Sequence, residues 1–382
     1  MNYILFDDPD TRVNLLPLTF TRPVADIRIG IFKIYEKWEK RLHAKVSFQT
    51  ETYLQKKFSL HPSEDTVYIN GSFCPSTDLI GEVQGLSDGQ VLKSQGIVVA
   101  YRNSITANKK EISFTGSWIS NTWNIFQYNG QEIKNDFELI QKSGKSIGIA
   151  DTHTIVYNPE NIFVEEGATI RAAVLNAENG PIYIGKNAEI QEGAVIRGPF
   201  ALCESSVVNM GAKMRGDNTI GPFSKVGGEV SNSVIFGYSN KAHDGFMGNS
   251  VIGEWCNFGA DSNTSNLKNN YSGIKVYSYK NKNFADSGKM FCGLVMGDHS
   301  KCGINTMFDS GTVIGVNVSI FGTKYTPKFI PSFSWGDIDD LSTFKFDKAI
   351  DVAERVFARR NMELSEIDKE ILLEVYKAES KS

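Results

Sequence analysis

Every sixth residue from Ile184 to Val226 is aliphatic: Ile184, Ile190, Ile196, Leu202, Val208, Met214, Ile220 and Val226 stand in one unbroken phase. In a chain that is 41% apolar, eight such hits in a row would arise by chance about once in a thousand starts, so the period carries structure. A step of six is neither the period of an α-helix nor that of a simple strand. It predicts a left-handed parallel β-helix, in which each six-residue step is one flat face plus a corner and its anchor side chain points into a thin triangular core. Met296, Cys302, Phe308, Ile314 and Ile320 form a second run, and Phe246, Ile252 and Phe258 a shorter one between them.

The pattern divides the chain. With 382 residues there is room for two or three cores. Residues 1–150 mix short apolar strands (Asn2 to Phe6, Thr66 to Asn70, Gly96 to Tyr101) with a helical spacing over Ile31 to Leu42, which predicts a mixed α/β unit. The β-helix is expected over residues 151–335. Residues 336–382 return to helical spacing, with Ala349, Val352, Ala353 and Val356 on one face, then Ile367, Ile371, Leu372 and Val375 on another after a Ser365/Asp368 start. Because a solenoid contacts only adjacent turns, its ends need capping; the N-terminal unit is expected at one end and the C-terminal helices at the other. The aromatics Trp118, Trp123, Phe126 and Tyr128 lie where the first two units join.

A net charge of −4 excludes a whole-chain basic field for nucleic acid. No apolar run is long enough to span a membrane, and MNYILFDDPD does not open like a signal peptide, so a cytoplasmic location is expected. Five widely spaced cysteines without a CxxC pair predict reduced thiols, and no metal-ligand cluster is visible.

Two resemblances follow from particular residues. PLTFTRP at 17–23, leading into a helix, resembles the opening of the sugar-nucleotide nucleotidyltransferases, whose glycine-rich loop closes on the phosphates of a nucleoside triphosphate. Thr11 and Arg12 match, while the glycines are replaced by Asp7, Asp8, Pro9 and Asp10, and the lysine after Pro23 is Val24. Arg22 or Arg28 would then supply the charge. TVYINGSFCPS resembles the strand that ends in the family's magnesium-binding Asp, here Ser72. The resemblance implies UTP or dTTP as substrate, and magnesium if this unit is active.

The β-helix is interrupted at residues 239–253 and 265–290, and long insertions in a solenoid mark its binding face. At these breaks the chain resembles the acetyltransferase half of the bacterial bifunctional enzymes that make UDP-N-acetylglucosamine, in an alternative bacterial version. Lys241, His243, Phe246 and Gly248, then Asn257 with Gly259 and Ala260, then Asn270, Tyr271 and Gly273 carry the match. The resemblance implies acetyl transfer from acetyl-CoA to an amino sugar phosphate of the glucosamine-1-phosphate type, on a homotrimer whose excursion at 265–290 lies against a neighbour's corners. A histidine accepts a proton near neutral pH, so His243 is the candidate base. Lys225, Lys241, Asn257, Asn270 and Tyr271 are candidates for substrate, and Ala260, Gly303, Asn305 and Thr306 for acetyl-CoA. Gly311, Gly315 and Gly322 suggest a cofactor channel, with Lys324 and Lys328 at the CoA phosphates. His299 is read as a surface turn residue. Arg197, Lys213, Arg215 and Lys225 would converge if the sugar phosphate is held on earlier turns. Two other functions fit the same residues: a glucose-1-phosphate-type nucleotidyltransferase with a purely oligomerising β-helix, and a non-catalytic binding or assembly module.

Overall fold

The computed structural model describes residues 1–105 and 109–379. From residue 155 to residue 321 the chain rotates through three sheets, which with its last strands number eight, nine and ten and are parallel apart from the closing hairpin Ser334–Asp337/Asp340–Thr343. This is the triangular left-handed β-helix that the six-residue step predicts. The eight anchors from Ile184 to Val226 are all buried in one core, as are Met296, Cys302, Phe308, Ile314 and Ile320. Between the two runs the step changes. Met214 pairs with Val230, and Ile220 with Ile235, so those coils are shorter. The phase therefore slips at Phe246, which lies outward, and Met247 is the core residue there.

The head is a six-stranded sheet in the order Val46–Gln49, Asn2–Phe6, Thr66–Asn70, Ile97–Arg102, Val91–Ser94, Lys109–Glu111. Contrary to the capping expectation, it lies along one side of the prism. A strand points successive side chains to opposite sides, so each inward anchor has an outward neighbour. On the nine-stranded face the register aligns the outward residues Phe163, Tyr183, Ala201, Thr219, Val234, Val251, Val295 and Val313, and every one is buried. The head and, on the upper coils, the 265–290 excursion cover them. The head's helix Thr122–Ser143, at 1.5 Å per residue about 33 Å long, runs down this face and packs Ile133, Phe137 and Ile140 on Phe163, Tyr183 and Ala201. The segment expected to be an aromatic linker is thus mostly helix, and Phe126 joins the core shared by head and prism.

Polar contacts fix this docking. The Asn129 side chain accepts from Gly30 N (2.7 Å) and donates to the Asp217 carbonyl (2.8 Å), while the Thr219 hydroxyl lies 2.9 Å from the Gly30 carbonyl. Gly30 has φ +71°, and a Cβ there would meet Asp136 and the Glu132 backbone; only glycine fits. Upper coils of the same face are covered by the 265–290 excursion, whose hairpin Lys275–Ser278/Asn283–Asp286 folds back on its own chain. Tyr277 stacks on Phe329 at 3.6 Å and Tyr279 meets Phe20 edge-on. Lys280 pairs with Asp10 at 2.8 Å.

Helices Phe346–Ala358 and Glu366–Glu379 descend along a prism corner. Phe357 stacks on Trp255 at 3.8 Å, Trp255 on Tyr238 at 4.3 Å, and Arg360 donates to the Phe223 carbonyl at 2.7 Å. His299 is buried under this stack, 8% exposed, rather than on the surface. Its Nδ1 has no hydrogen-bond partner among the described residues. Burial, with Lys301 nearby, lowers its pKa to about 4, against the opposing pull of Asp298, Asp368 and Glu254.

The unfolded chain protonates this ring near its ordinary value and the folded chain only near 4. Stability held above that window is lost as pH falls through it, by at most about 3 kcal/mol. Thermal melts between pH 7 and pH 4 should show the wild type losing more stability than His299→Leu. Parallel curves would remove His299 as the cause. At neutral pH, Val251→Asp should lower stability by about 2 kcal/mol or more by placing a carboxylate under the head; an unchanged melt would mean that this face is free.

Candidate functional site

The corner between the ten-stranded and eight-stranded faces gathers most of the predicted acyl-transfer residues. Anchor registers Phe258 with Cys302 and Met247 with Thr264 and Phe308 make His243, Ala260 and Ile304 equivalent positions on three successive coils. The rise per coil is about 4.8 Å. His243 is exposed, and Ile304 is 67% exposed two coils above it. Ala260 accepts from Asn305 N at 2.8 Å, and Gly303 precedes on the same corner. The Thr306 hydroxyl turns inward and donates to the Gly303 carbonyl at 2.8 Å, so its side chain does not reach a ligand on this corner.

On the adjoining face, outward residues form the ladder Lys225, Asn240, Asn257, Lys301, Ser319, Trp335. Two predicted substrate residues, Lys225 and Asn257, therefore share one surface beside His243. Asn240 Nδ2 lies 3.4 Å from Asn257 Oδ1, and Arg360 reaches Asn240 Oδ1 at 3.4 Å. Lys301 and Arg360 were missed by sequence reasoning. Lys301 was legible, since it stands one place before the anchor Cys302 as Lys225 does before Val226. Arg360 arrives from a distant helix and left no local signal. Lys213 flanks the same corner from the other face, two coils below Phe246. Arg197 and Arg215 stand toward the opposite edge of that face, and Arg215 is paired with Glu229 at 2.9 Å.

Lys241 differs from its expected role. Its register partner is Val226, so it takes an anchor position inside the prism and is 2% exposed. Its ammonium donates to the carbonyls of His243 (2.6 Å), Asp244 (3.0 Å) and Gly227 (3.4 Å). Three donors meet three acceptors, and the corner that carries His243 is pinned from within. Burial lowers the Lys241 pKa to about 8, partly offset by Asp244 and Asp261.

Asn270 and Tyr271 stand elsewhere. The excursion leaves between Asn263–Thr264 and Val295–Met296, which is a different corner of the prism. Tyr271 is 65% exposed. Within one chain, the His243 corner and the Asn270/Tyr271 loop are thus on separate edges. The expected cofactor channel is not formed by its glycines: a Cβ at Gly311 would meet Ile274 and Lys275, and one at Gly315 would meet Ser332. Lys324 pairs with Asp339 at 2.8 Å and Lys328 with Asp309 at 3.0 Å.

In the head, the predicted nucleotide residues have internal partners. The segment at the glycine-loop position is a short helix, Pro9–Asn14, capped by the Asp8 carboxylate on Thr11 N at 2.9 Å. Arg12 is buried and bonded to Asp7 (2.8 Å), the Arg22 carbonyl and Tyr53. Burial raises the Asp7 pKa, with Arg12, Thr50 and Val24 N pulling it back. Arg28 staples the head to the prism through the Phe236 carbonyl at 3.1 Å. Burial alone would lower the Arg22 pKa, but Asp298, Glu254 and Asp26 around it raise it. All three guanidiniums have partners within the fold, and in place of a glycine cradle these side chains help to hold it.

A cavity of about 390 Å³ at the ends of the parallel strands is lined by Asp7, Asp8, Arg12, Glu51 and Tyr101. The residues present do not fit magnesium at the expected place: Ser72 is fully buried, donates to Asn70 Oδ1 at 2.7 Å and accepts from Trp118 Nε1 at 3.2 Å.

Residues 3–145 match the family model described as sugar nucleotidyl transferase. Among curated proteins, the chain is similar to a bifunctional sugar-1-phosphate nucleotidylyltransferase/acetyltransferase of Sulfurisphaera tokodaii, 28% identical over 216 residues, covering 56% of this chain and 47% of that protein. It is similar to the bifunctional protein GlmU of Clostridium beijerinckii, 26% identical over 244 residues, covering 60% and 48%. The bifunctional protein GlmU of Methanocaldococcus jannaschii is 37% identical over 89 residues, covering 23% and 21%. The chain spans less than half the length of these relatives.

Lys241→Met should preserve the volume of the anchor while freeing three corner carbonyls, lowering stability by about 1–3 kcal/mol. Amide hydrogen exchange at residues 242–245 should rise; unchanged exchange there would mean that the lysine does not pin the corner.

Proposed function

We propose that the chain, whose residues 3–145 match the sugar nucleotidyl transferase model, acts in sugar-nucleotide chemistry and that its prism transfers an acetyl group from acetyl-CoA to an amino sugar phosphate of the glucosamine-1-phosphate type. The observation that carries this reading is the exposed His243 on a corner pinned by Lys241, beside the Asn240/Asn257 ladder and below Ala260. The similarity to proteins named bifunctional nucleotidylyltransferase/acetyltransferase supports it.

In this mechanism the sugar ammonium gives a proton to the exposed His243 imidazole, which acts as the general base. The freed amine attacks the thioester carbonyl, and an amide N–H of Asn257 donates to the developing oxyanion. Collapse of the intermediate breaks the C–S bond, the departing thiolate takes the proton back from the imidazolium, and the acylated nitrogen releases its second proton to solvent, which leaves a neutral amide. Lys225 and Lys213 stand on both flanks of the corner, without an ion-pair partner among the described residues, and serve the sugar phosphate.

Three copies complete the site in this reading. The head and the hairpin occupy the nine-stranded face, which leaves the other two faces for subunit contacts. A neighbour's exposed loop then brings Asn270 and Tyr271 to the His243 corner, two groups that one chain keeps on separate edges.

A second reading, nucleotidyl transfer from UTP or dTTP to a sugar-1-phosphate, is favoured by the family match of the head. The acid-lined cavity and buried Ser72 oppose it, and the head is then a docking and assembly element.

Purified protein with acetyl-CoA and glucosamine-1-phosphate should release thiol. His243→Ala should reduce kcat about 100-fold or more and leave the melting temperature within a degree or two, because the side chain is exposed. Unchanged turnover in that variant would falsify the assignment of the base. No thiol release with any amino sugar phosphate, together with pyrophosphate release from UTP or dTTP, would favour the second reading.

A further inference from the structure

The head carries a cleft that neither the acyl-transfer corner nor the cavity at the strand ends explains. It encloses about 570 Å³ where the helices Ile34–Leu42 and Thr122–Ser143 end and Thr77–Gln84 begins. Lys40, Arg41, His43 and Lys142 line it, and no carboxylate does so among the described residues. In a chain of net charge −4 this is a concentrated field of one sign. The cavity at the strand ends, by contrast, has Asp7, Asp8 and Glu51 on its wall.

Basic residues in a last helical turn often do no more than complement the helix dipole. Two further observations separate this cleft from that case. The last turns of two different helices converge on one concavity, and Lys40, Arg41 and Lys142 form no ion pair among the described residues. The Nε of Arg41 is also shielded from solvent and has no hydrogen-bond partner there. Lys40 lies 4.5 Å from the Phe32 ring centroid, so one ammonium is held over the cleft wall. Thr77, the first residue of its helix, stands on the rim. The remaining wall is apolar, with Phe32, Ile80 and Leu139.

We propose that this cleft binds a nucleoside diphosphate. Its phosphates would lie among Lys40, Arg41 and Lys142, and its base against Ile80 and Leu139. The volume falls in the range of small-molecule sites. A bare phosphate would leave the apolar wall unused, and an uncharged nucleoside would leave the cations without a partner. The site stands apart from the His243 corner, so it does not depend on the acyl-transfer reading.

Isothermal titration of the full chain at low salt with UDP, ADP and uridine tests this directly. The diphosphates should bind and uridine should not, and binding should weaken as salt is raised. Lys40→Glu and Lys142→Glu, both at exposed positions, should each weaken diphosphate binding tenfold or more without changing the thermal melt. Absence of diphosphate binding to the wild type would overturn the proposal. So would equal affinity in both variants, which would place the nucleotide elsewhere on the chain.

Discussion

In a parallel prism every inward hook fixes the direction of the residue before it, and that coupling organises this protein. The hooks alone would give a bare scaffold. Their outward neighbours differ from face to face: apolar residues on the nine-stranded face, polar ones such as Lys225, Asn240 and Asn257 on the ten-stranded face. The apolar face recruits the head and the hairpin, so its hydrophobic surface leaves water. The head and the hairpin leave the polar face uncovered. A single alternation therefore decides where the domains dock and which face presents the polar ladder.

Much of this was legible in the residues. The six-step run from Ile184 to Val226 gave the prism and its inward set without a mistaken position. The same sequence also held the docking face, unread: Tyr183, Ala201 and Thr219 recur every eighteen residues, each one place before an anchor. The phase was lost after Val226, because steps of four and five residues replace six there, and neither composition nor hydrophobicity announces a shortened coil. That slip explains why Phe246 was placed inside. Lys241 was misread for a related reason: a lysine in the anchor slot is chemically improbable until the three carbonyls that receive it are seen.

The head shows the opposite balance. Its strands and first helix were readable, but the roles of Thr11, Arg12, Arg22 and Arg28 were assigned by resemblance to a loop whose glycines are absent. Replacing glycine by Asp7, Asp8 and Pro9 turns a phosphate cradle into a capped helix, and the guanidiniums then satisfy buried acceptors. Arg22 illustrates the long reach of this change, since its partners Glu254 and Asp298 lie on the prism. No local pattern around residue 22 encodes them. The internal contacts of the head show a fold put to use as a docking element.

The proposed acyl transfer at the His243 corner needs a site that a single chain leaves incomplete. A crystal structure of the protein with CoA bound tests both statements at once. The expected density runs up the corner past Ala260 and Gly303, with the thiol beside His243 and Asn270 or Tyr271 of a neighbouring copy within contact distance. CoA bound to an isolated chain, or a thiol seated on another edge of the prism, would contradict the account.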